Sequence, residues 1–443
     1  MSTVKVNTID KRTGSTLTLG GSGTAVTLAS GATQTGFGRT GTVDWQTTPK
    51  TGTFTAVNGE GYFVNTSGGV STANLPAGSA GAIVSFSDYT RTFATNNLTI
   101  APNGSEKVGG VAQDVVLNVN GQALTLVYVD GTEGWINVQN AEDTETGVSP
   151  FVEATGGTIT TVCTNYKVHT FTSSGNFVVT NGGEPGGSNT ISYMVAGGGA
   201  GGGKDAGGGG GAGGFREGRT PQCASYTASP LNAPAGLPVS AQSYPIIIGA
   251  GGAGSTSTSA RGSNGSVTSF SSITSAGGGG GGSDASPVHS GGAGGSGGGA
   301  RANTNVPGGA GNTPPVSPPQ GNKGGNTCAP PYPGCNASGG GGATVAGVDN
   351  GSPTPSPTMG DGGAGATTSI NGSPNSFAGG GGGPNNNPGP AGAGGTGGGG
   401  KGGGAGQPAA TDGTANTGGG AGGGYPCGKA GGSGVVIIRY KFQ

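Results

Sequence analysis

The sequence is poor in charged and in apolar residues. Only about 8% of its 443 residues are Asp, Glu, Lys or Arg, against roughly 25% in an ordinary soluble domain. Hydrophobic residues make up 30%, where about 45–50% is usual. One large apolar core over most of the length is therefore not expected. Order must come from backbone hydrogen bonds, from several small cores or from other chains.

Further absences exclude whole classes of function. The net charge is −1, so a basic face that binds nucleic acid is not expected. The sequence has no run of about 18 apolar residues, so a membrane span is not expected either. The N-terminus, MSTVKVNTID, lacks the apolar centre of a signal peptide, so we expect a cytoplasmic product that leaves by lysis. The two histidines, His169 and His289, belong to no Cys–His cluster with zinc spacing, and neither metal nor cofactor is expected.

Catalytic motifs are also missing. The Gly-Lys pairs at Lys204, Lys401 and Lys429 are not followed by Ser or Thr, so none completes a phosphate-binding loop. No helical pattern follows any GxGxxG match, as a dinucleotide site requires. No GxSxG elbow between a strand and a helix lies near a histidine, and the 19 scattered acidic residues form no recognisable carboxylate pair. The sequence therefore predicts that the protein is not an enzyme.

The five cysteines do not form a disulfide framework, because their number is odd in a long chain. Cys328 and Cys335 bracket the proline-rich stretch APPYPG, and a disulfide bond between them would close a small ring. Free thiols are the equal alternative for this pair.

Glycine dominates what is present, with 109 residues. A flexible linker is the ordinary interpretation of such runs. They are numerous, however, are separated by short inserts, and use Gly and Ala far more than Ser, which favours packed polyproline-II-like helices with three residues per turn. Their outward N–H and C=O groups would pair between neighbouring helices, and an 18-residue run would extend roughly 55 Å. The runs are 197–214, 277–282, 291–299, 339–342, 379–383, 392–406 and 418–424.

Changes in composition divide the chain into four regions. Residues 1–40 alternate with period 2 around GGSG and predict an oligomeric β stalk, with a trimer as the expected form. Residues 41–142 carry short strands with turn signals, which predicts a β-sandwich or small barrel with Trp45 and Trp135 packed in its core, ligand binding being the alternative role for these two residues. The acidic stretch within 143–165 predicts a linker. Residues 166–443 form the glycine-rich region, opening with a predicted hairpin, YKVHTFTSSGNFVVTN. The overall fold class is all-β.

Several segments together resemble a known family. HTFTSSGNFVV, ISYMVAGGGAGGG, YPIIIGAGGAG, SFSSITSAGGGGGG and the terminal GGSGVVIIRYKF are similar to the glycine-rich domain of phage tail fibres and adhesins, over about 166–443. The resemblance implies glycine helices packed as a sandwich on a small β base, with loops that meet the bacterial surface. The first 142 residues resemble structural proteins of marine phages through VSFSDYTRTFATNNLTIAPNGS and LTLVYVDGTEGWINV.

This resemblance implies a tail fibre or adhesin that recognises a polysaccharide or an outer-membrane protein on a bacterial host. The protein would be a homotrimer in the virion, joined to other tail or baseplate proteins through its N-terminal region, without nucleic acid and without membrane insertion. The alternative is a purely structural fibre-shaft or decoration protein without receptor contact. A surface-cleaving enzyme is a third class, which would need a clustered carboxylate pair.

The inserts between glycine runs are the candidate binding loops, because aromatic and small polar residues suit recognition surfaces. Within them we predict Arg219, Tyr226, Arg301, Tyr332 and Asn385 as receptor-binding residues, with an ordinary turn role as the alternative for each. Tyr332 is the strongest candidate, because neighbouring prolines restrict its loop. The inserts are 215–243, 284–290, 300–307, 312–338, 348–359, 384–390 and 407–417.

Overall fold

The computed structural model describes residues 43–139, 151–183, 187–221, 225–302, 304–328, 336–350, 360–385, 390–404, 406 and 408–443. These residues form an all-β protein without an α-helix, as the sequence predicts. They fall into two compact units, Met1–Val148 and Ser149–Gln443. Nothing in the described part of the chain is a helix of the length and apolarity that membrane crossing needs. The predicted stalk at 1–40 lies outside the described residues.

The first unit consists of two sheets. One has the order β1-β3-β5-β8-β9 and the other β2-β4-β6-β7. The strands are β1 (Asp44–Lys50), β2 (Thr53–Thr55), β3 (Glu60–Val64), β4 (Ser71–Asn74), β5 (Ile83–Asp88), β6 (Leu98–Ala101), β7 (Val115–Leu117), β8 (Ala123–Asp130) and β9 (Gly134–Asn137).

The chain of this unit winds three times between the two sheets. Strands β1, β3 and β5 pair in parallel in one sheet, and β2, β4 and β6 pair in parallel in the other. Alternate residues such as Tyr62, Phe86 and Leu126 meet in a buried core between the sheets. The sandwich prediction is therefore confirmed, while no sheet among the described residues closes into a barrel.

The two tryptophans of this unit differ in position. Trp135 is fully buried and its indole Nε1–H donates to Glu106, so the core prediction is confirmed for it. Trp45 is 39% exposed and its ring lies on Phe63, with centroids 4.9 Å apart. The core prediction is wrong for Trp45, because β1 is an edge strand and this side chain lies over Gly61.

The second unit is built on a β base of two larger sheets and one hairpin. The larger sheets have the orders β10-β13-β18-β19-β20 and β11-β12-β23-β14-β15-β16, with β17 beside β14, and β21 pairs with β22. The strands are β10 (Val152–Thr155), β11 (Thr158–Val162), β12 (Tyr166–Phe171), β13 (Gly175–Gly182), β14 (Thr190–Ala196), β15 (Phe215–Gly218), β16 (Asn232–Ala233), β17 (Leu237–Pro238), β18 (Gln242–Ile247), β19 (Thr268–Phe270), β20 (Ile273–Ser275), β21 (Ala366–Thr368), β22 (Asn375–Phe377) and β23 (Val435–Lys441).

Two local predictions are corrected here. The region 143–165 is not a linker throughout, because β10 and β11 lie in it and belong to the base sheets; the acidic stretch concealed the β-branched strand TITTV. The segment 166–181 is not a hairpin. Its strands β12 and β13 are consecutive but pair with β23 and β18 in different sheets, because both have an apolar face for the same interior.

The terminal strand β23 is central to the base. Its residues Val436, Ile438 and Tyr440 face the core between the two larger sheets. Val435 and Ile437 pack instead in a second core, which the β21–β22 hairpin and Tyr226 complete. Strand β23 pairs with both β12 and β14, so the last strand of the chain holds the first strands of the base together.

Glycine runs extend from this base as a hydrogen-bonded array. Along 197–202, successive backbone N–H groups donate to three different neighbouring segments in turn, and every third residue donates to the same segment. Three residues per turn is the period of a polyproline-II helix. The ordered interpretation of the runs is thus confirmed over this region. The donors 197 and 200 pair with carbonyls 214 and 211, 198 and 201 with 266 and 263, and 199 and 202 with 432 and 429, over 2.9–3.0 Å.

Contact between the runs depends on the missing side chain. A Cβ on Gly209 would lie 2.1 Å from the carbonyl oxygen of Gly381, and one on Gly199 would lie 2.0 Å from that of Gly419. These neighbours are backbone atoms that are themselves hydrogen-bonded within the array. The array therefore replaces an apolar core by close backbone packing, which is why low hydrophobic content is sufficient.

Candidate functional site

The array has two distinct ends. The run 197–203 leaves strand β14, reverses at Lys204–Ala206 and returns through 207–214 to strand β15. The 18-residue run is therefore two short antiparallel legs, and the predicted extent of about 55 Å is wrong. Asp205, with a φ of 56°, adopts the left-handed conformation that Asp tolerates better than most residues. The reversal lies at the end of the array opposite the base.

Other loops meet at this end. Lys204 N–H donates to Ser283 Oγ over 3.0 Å, and Gly424 N–H donates to the carbonyl of Gly203 over 3.1 Å. Further backbone bonds of 2.8–3.1 Å run from 428 to 255, from 285 to 258, from 302 to 206, from 305 to 328 and from 350 to 326. We call this surface the apex; it consists of residues 204–206, 255–261, 283–290, 301–302, 304–306, 326–328, 349–350, 384–385 and 424–428.

A charged cluster holds two apex loops. Arg301 Nη2 forms an ion pair with Asp284 Oδ1, and the Arg301 N–H donates to the His289 carbonyl over 2.9 Å. His289 Nε2 lies 2.9 Å from the Asp284 carbonyl, so this nitrogen carries the proton. Arg261 joins the cluster by donating to the carbonyl and the hydroxyl of Ser290, each over 2.6 Å. The loops 255–261, 283–290 and 301–302 therefore form one connected surface.

Exposed side chains of the apex are mostly small and polar. Hydroxyl, amide and charged groups predominate in its described loops. Tyr425 is the large aromatic residue there, and it is 55% exposed. Such a surface offers hydrogen bonds and one aromatic platform, the combination that adaptable recognition surfaces use.

Two of the predicted receptor-binding residues lie in the base. Tyr226 is buried in the second core, and the ring lies 5.2 Å from the Arg439 guanidinium. Arg219 Nη1 donates to the Tyr226 carbonyl over 2.9 Å. The insert that carries them covers the sheet β11-β12-β23-β14-β15-β16 on the side of the second core. Both residues therefore pack against the base and lie away from the apex.

Two other predicted residues, Arg301 and Asn385, lie in the apex. Arg301 is in the charged cluster. Asn385 is fully buried, and its Nδ2 donates to the Pro390 carbonyl over 3.1 Å, so its side chain joins the two described ends of the insert 384–390. Tyr332 lies outside the described residues, and its role stays a prediction. Cys328 is disulfide-bonded, and its partner lies outside the described residues.

The proline-rich insert divides between the two ends of the array. Residues 312–320 lie at the base end, where Gln320 is buried. The Gln320 carbonyl accepts from Phe215 N–H over 2.8 Å, and its Oε1 accepts from Ala276 N–H over 2.9 Å. The run 321–326 then leads to the apex, so of the described part of the insert 312–338 only 326–328 belongs to that surface.

A buried chain of hydrogen bonds joins Gly156, His169 and Tyr440 in the base. His169 is fully buried; its Nδ1 lies 2.7 Å from the Gly156 carbonyl and its Nε2 lies 3.0 Å from the Tyr440 hydroxyl. The first contact requires the proton on Nδ1, so Tyr440 O–H donates to Nε2. Burial lowers the pKa of His169 and raises the pKa of Tyr440 to about 12. The imidazole of His169 in this chain of hydrogen bonds is therefore neutral.

Two buried charges of the base were not predicted. Glu217 accepts from Ser229 N–H over 2.8 Å and from Thr368 Oγ1–H over 2.6 Å. Arg439 is fully buried, with its guanidinium 4.4 Å from the Tyr166 ring centroid. The one sequence signal for Arg439 is its place in the otherwise apolar strand VVIIRY, where a charge needs a dedicated set of partners.

Within the described ranges, no group of three or more His, Cys, Asp or Glu side chains is arranged to hold a metal ion.

Comparison with known proteins agrees with this architecture. A family model described as a glycine-rich domain matches residues 172–441, which is more than half of the chain. The chain therefore belongs to this glycine-rich domain family. A search of curated proteins finds no match.

Proposed function

We propose that this member of the glycine-rich domain family is a tail-fibre or adhesin subunit of a bacteriophage, and that its apex binds a receptor on the bacterial host. One observation carries the proposal: the array brings separate loops from distant parts of the sequence to one end, away from the base. Variable loops on a rigid support are the usual way to build a recognition surface.

Preorganisation is the physical advantage of this arrangement. The apex loops are joined to each other by backbone hydrogen bonds and by the Arg301–Asp284 pair, so little conformational entropy remains to be lost on binding. Hydroxyl and amide groups with an exposed Tyr425 suit a surface polysaccharide or an outer-membrane protein. Trimer formation, attachment through the N-terminal region and a place in the virion belong to the same proposal.

Cell binding by the full-length chain tests this function. The labelled protein is mixed with a panel of bacteria, and bound fluorescence is compared between Tyr425→Ala and Tyr89→Ala. The two tyrosines are equally accessible, at 55% and 57% exposed, but Tyr89 belongs to the first unit. Truncation of an interface aromatic residue costs about 1–2 kcal/mol or more, so Tyr425→Ala should weaken binding to the susceptible strain roughly tenfold.

Other results separate the alternatives. If the folded wild-type chain binds no strain that the parent virion infects, the structural fibre-shaft function replaces the adhesin. If Tyr89→Ala weakens binding as much as Tyr425→Ala, the receptor site is not at the apex.

A further inference from the structure

The base carries a cleft away from the apex. Two connections join the sheets of the base at one side: Gly156–Gly157 links β10 to β11, and Thr172–Ser174 links β12 to β13. Between them lies a cleft of ≈ 390 Å³. Small-molecule sites in proteins have about 300–1,000 Å³, so the cleft has room for a small ligand and not for a folded partner.

The lining of this cleft is chemically uniform. No side chain that lines it carries a charge, and Phe171 is its one aromatic residue. The remaining side chains are hydroxyls and one amide, apart from glycines. The polar lining residues are Thr158, Thr170, Thr172, Ser173, Ser174 and Asn176.

Most of these polar groups have no partner within the described chain. Ser174 Oγ accepts from Ile248 N–H over 3.0 Å, whereas the other five side chains make no hydrogen bond to described residues. Each hydroxyl can donate and accept, and the amide of Asn176 offers both functions. Thr158, Thr172, Ser173 and Asn176 are exposed and Thr170 is half-buried, so these five groups are hydrated in the free protein and accessible to a ligand that is covered with hydroxyl groups.

The cleft is also held in shape. A Cβ on Gly157 would lie 2.8 Å from the Thr170 carbonyl oxygen and 3.1 Å from the Phe171 ring, so the glycine backbone lies directly on the ring. Phe171 is buried in the core between the sheets. The pairing of β11 with β12 fixes Thr158 opposite Thr170. A rigid, uncharged site favours a ligand that brings no charge to be desolvated.

We propose that this cleft is a binding site for a neutral saccharide, with room for one or two sugar rings. The sugar hydroxyls exchange hydrogen bonds with Thr and Ser side chains and with Asn176, in place of the water that hydrates these exposed groups. The site is separate from the apex and independent of the proposed receptor function. An uncharged glycan bound here contacts the side of the base, whatever the apex recognises.

Saturation-transfer NMR on the full-length chain tests the site. The probes are the methyl glycosides of D-glucose, D-galactose, D-mannose and N-acetyl-D-glucosamine, with D-glucuronate as the charged counterpart. Ser173→Phe fills the cleft, and Ser373→Phe is its control, because both serines are exposed in turns of the same unit. Asn176→Ala removes one partner without filling space.

We expect saturation transfer to at least one neutral glycoside and little to glucuronate. Ser173→Phe should abolish the transfer and Ser373→Phe should leave it intact, while Asn176→Ala weakens binding roughly threefold to tenfold, the effect of one hydrogen bond. Arg301→Ala at the apex should not change it. The proposal is overturned if no neutral glycoside gives transfer to the folded wild type, if glucuronate binds better, or if Ser173→Phe binds as the wild type does.

Discussion

Replacing Gly209 by alanine tests whether backbone contact holds the array together. The new Cβ would lie 2.1 Å from the Gly381 carbonyl oxygen and 2.6 Å from its carbonyl carbon. Ordinary carbon–oxygen contacts begin at about 3.3 Å, so the neighbouring run has to move by about 1 Å. That run is held on both sides: Gly381 N–H donates to Gly210 over 2.9 Å, and its carbonyl accepts from Gly340 over 2.8 Å.

The cost of this substitution follows from two contributions. Overpacking a tight interior costs about 1–3 kcal/mol, and two weakened hydrogen bonds add about 0.5–1.5 kcal/mol each. We therefore expect Gly209→Ala to lower the free energy of unfolding of the second unit by about 2–6 kcal/mol, a large part of the roughly 5–15 kcal/mol of a typical domain. Gly175→Ala is the control, because its Cβ would meet nothing within 4 Å.

Calorimetry and amide hydrogen exchange measure the effect. Both tryptophans, Trp45 and Trp135, lie in the first unit, so tryptophan fluorescence provides an internal reference that should not change. In Gly209→Ala, exchange should accelerate in peptides from 197–214, 336–343 and 378–383. Wild-type exchange in these peptides, together with a stability within about 0.5 kcal/mol of the Gly175→Ala control, would refute the backbone-contact explanation.

Three further predictions concern the base. Because the folded pKa of His169 lies below its ordinary value of 6.5, the unfolded chain binds the extra proton first. The contribution of His169 to the free energy of unfolding should therefore be constant above about pH 6.5 and fall as the pH decreases below it, in denaturant titrations. Because the folded pKa of Tyr440 is about 12 against 10.0 unfolded, stability should also fall as the pH rises from 10 to 12, and Tyr440→Phe should reduce that alkaline dependence while costing about 1 kcal/mol at neutral pH. Arg439→Lys should lower the thermal midpoint of the second unit, because a compact ammonium does not replace a planar guanidinium beside the Tyr166 and Tyr226 rings, a contact worth about 1–2 kcal/mol; an unchanged midpoint would contradict this role.

The composition correctly predicted that the glycine runs form an ordered, packed array, because such packing depends on which residue types the runs contain. Runs of Gly and Ala leave room for neighbouring backbones, and β-branched strands such as those ending at Ala196 and beginning at Val435 bracket the array in the sequence as they do in space. The parallel winding of β1, β3 and β5 was not predictable, because strand alternation gives the buried face and not the partner. Residues Tyr226 and Asn385 had suitable chemistry for recognition, but burial depends on contacts that sequence position does not reveal.

The sequence does not show at which end of the array each insert emerges, and the reason is geometric. The run 291–299 appears continuous, yet residue 298 donates to 292 and residue 292 to 280, over 2.8–2.9 Å, so the chain reverses between the two halves of the run. The run 392–406 also reverses, at Gly397 and Gly398, whose φ values are 100° and 93°. Glycine makes such reversals without changing composition, because it adopts positive φ freely. Each unseen reversal exchanges base and apex for every later insert, which is why 312–320 lies at the base. Placing the inserts therefore required the hydrogen-bond partners of the glycines themselves.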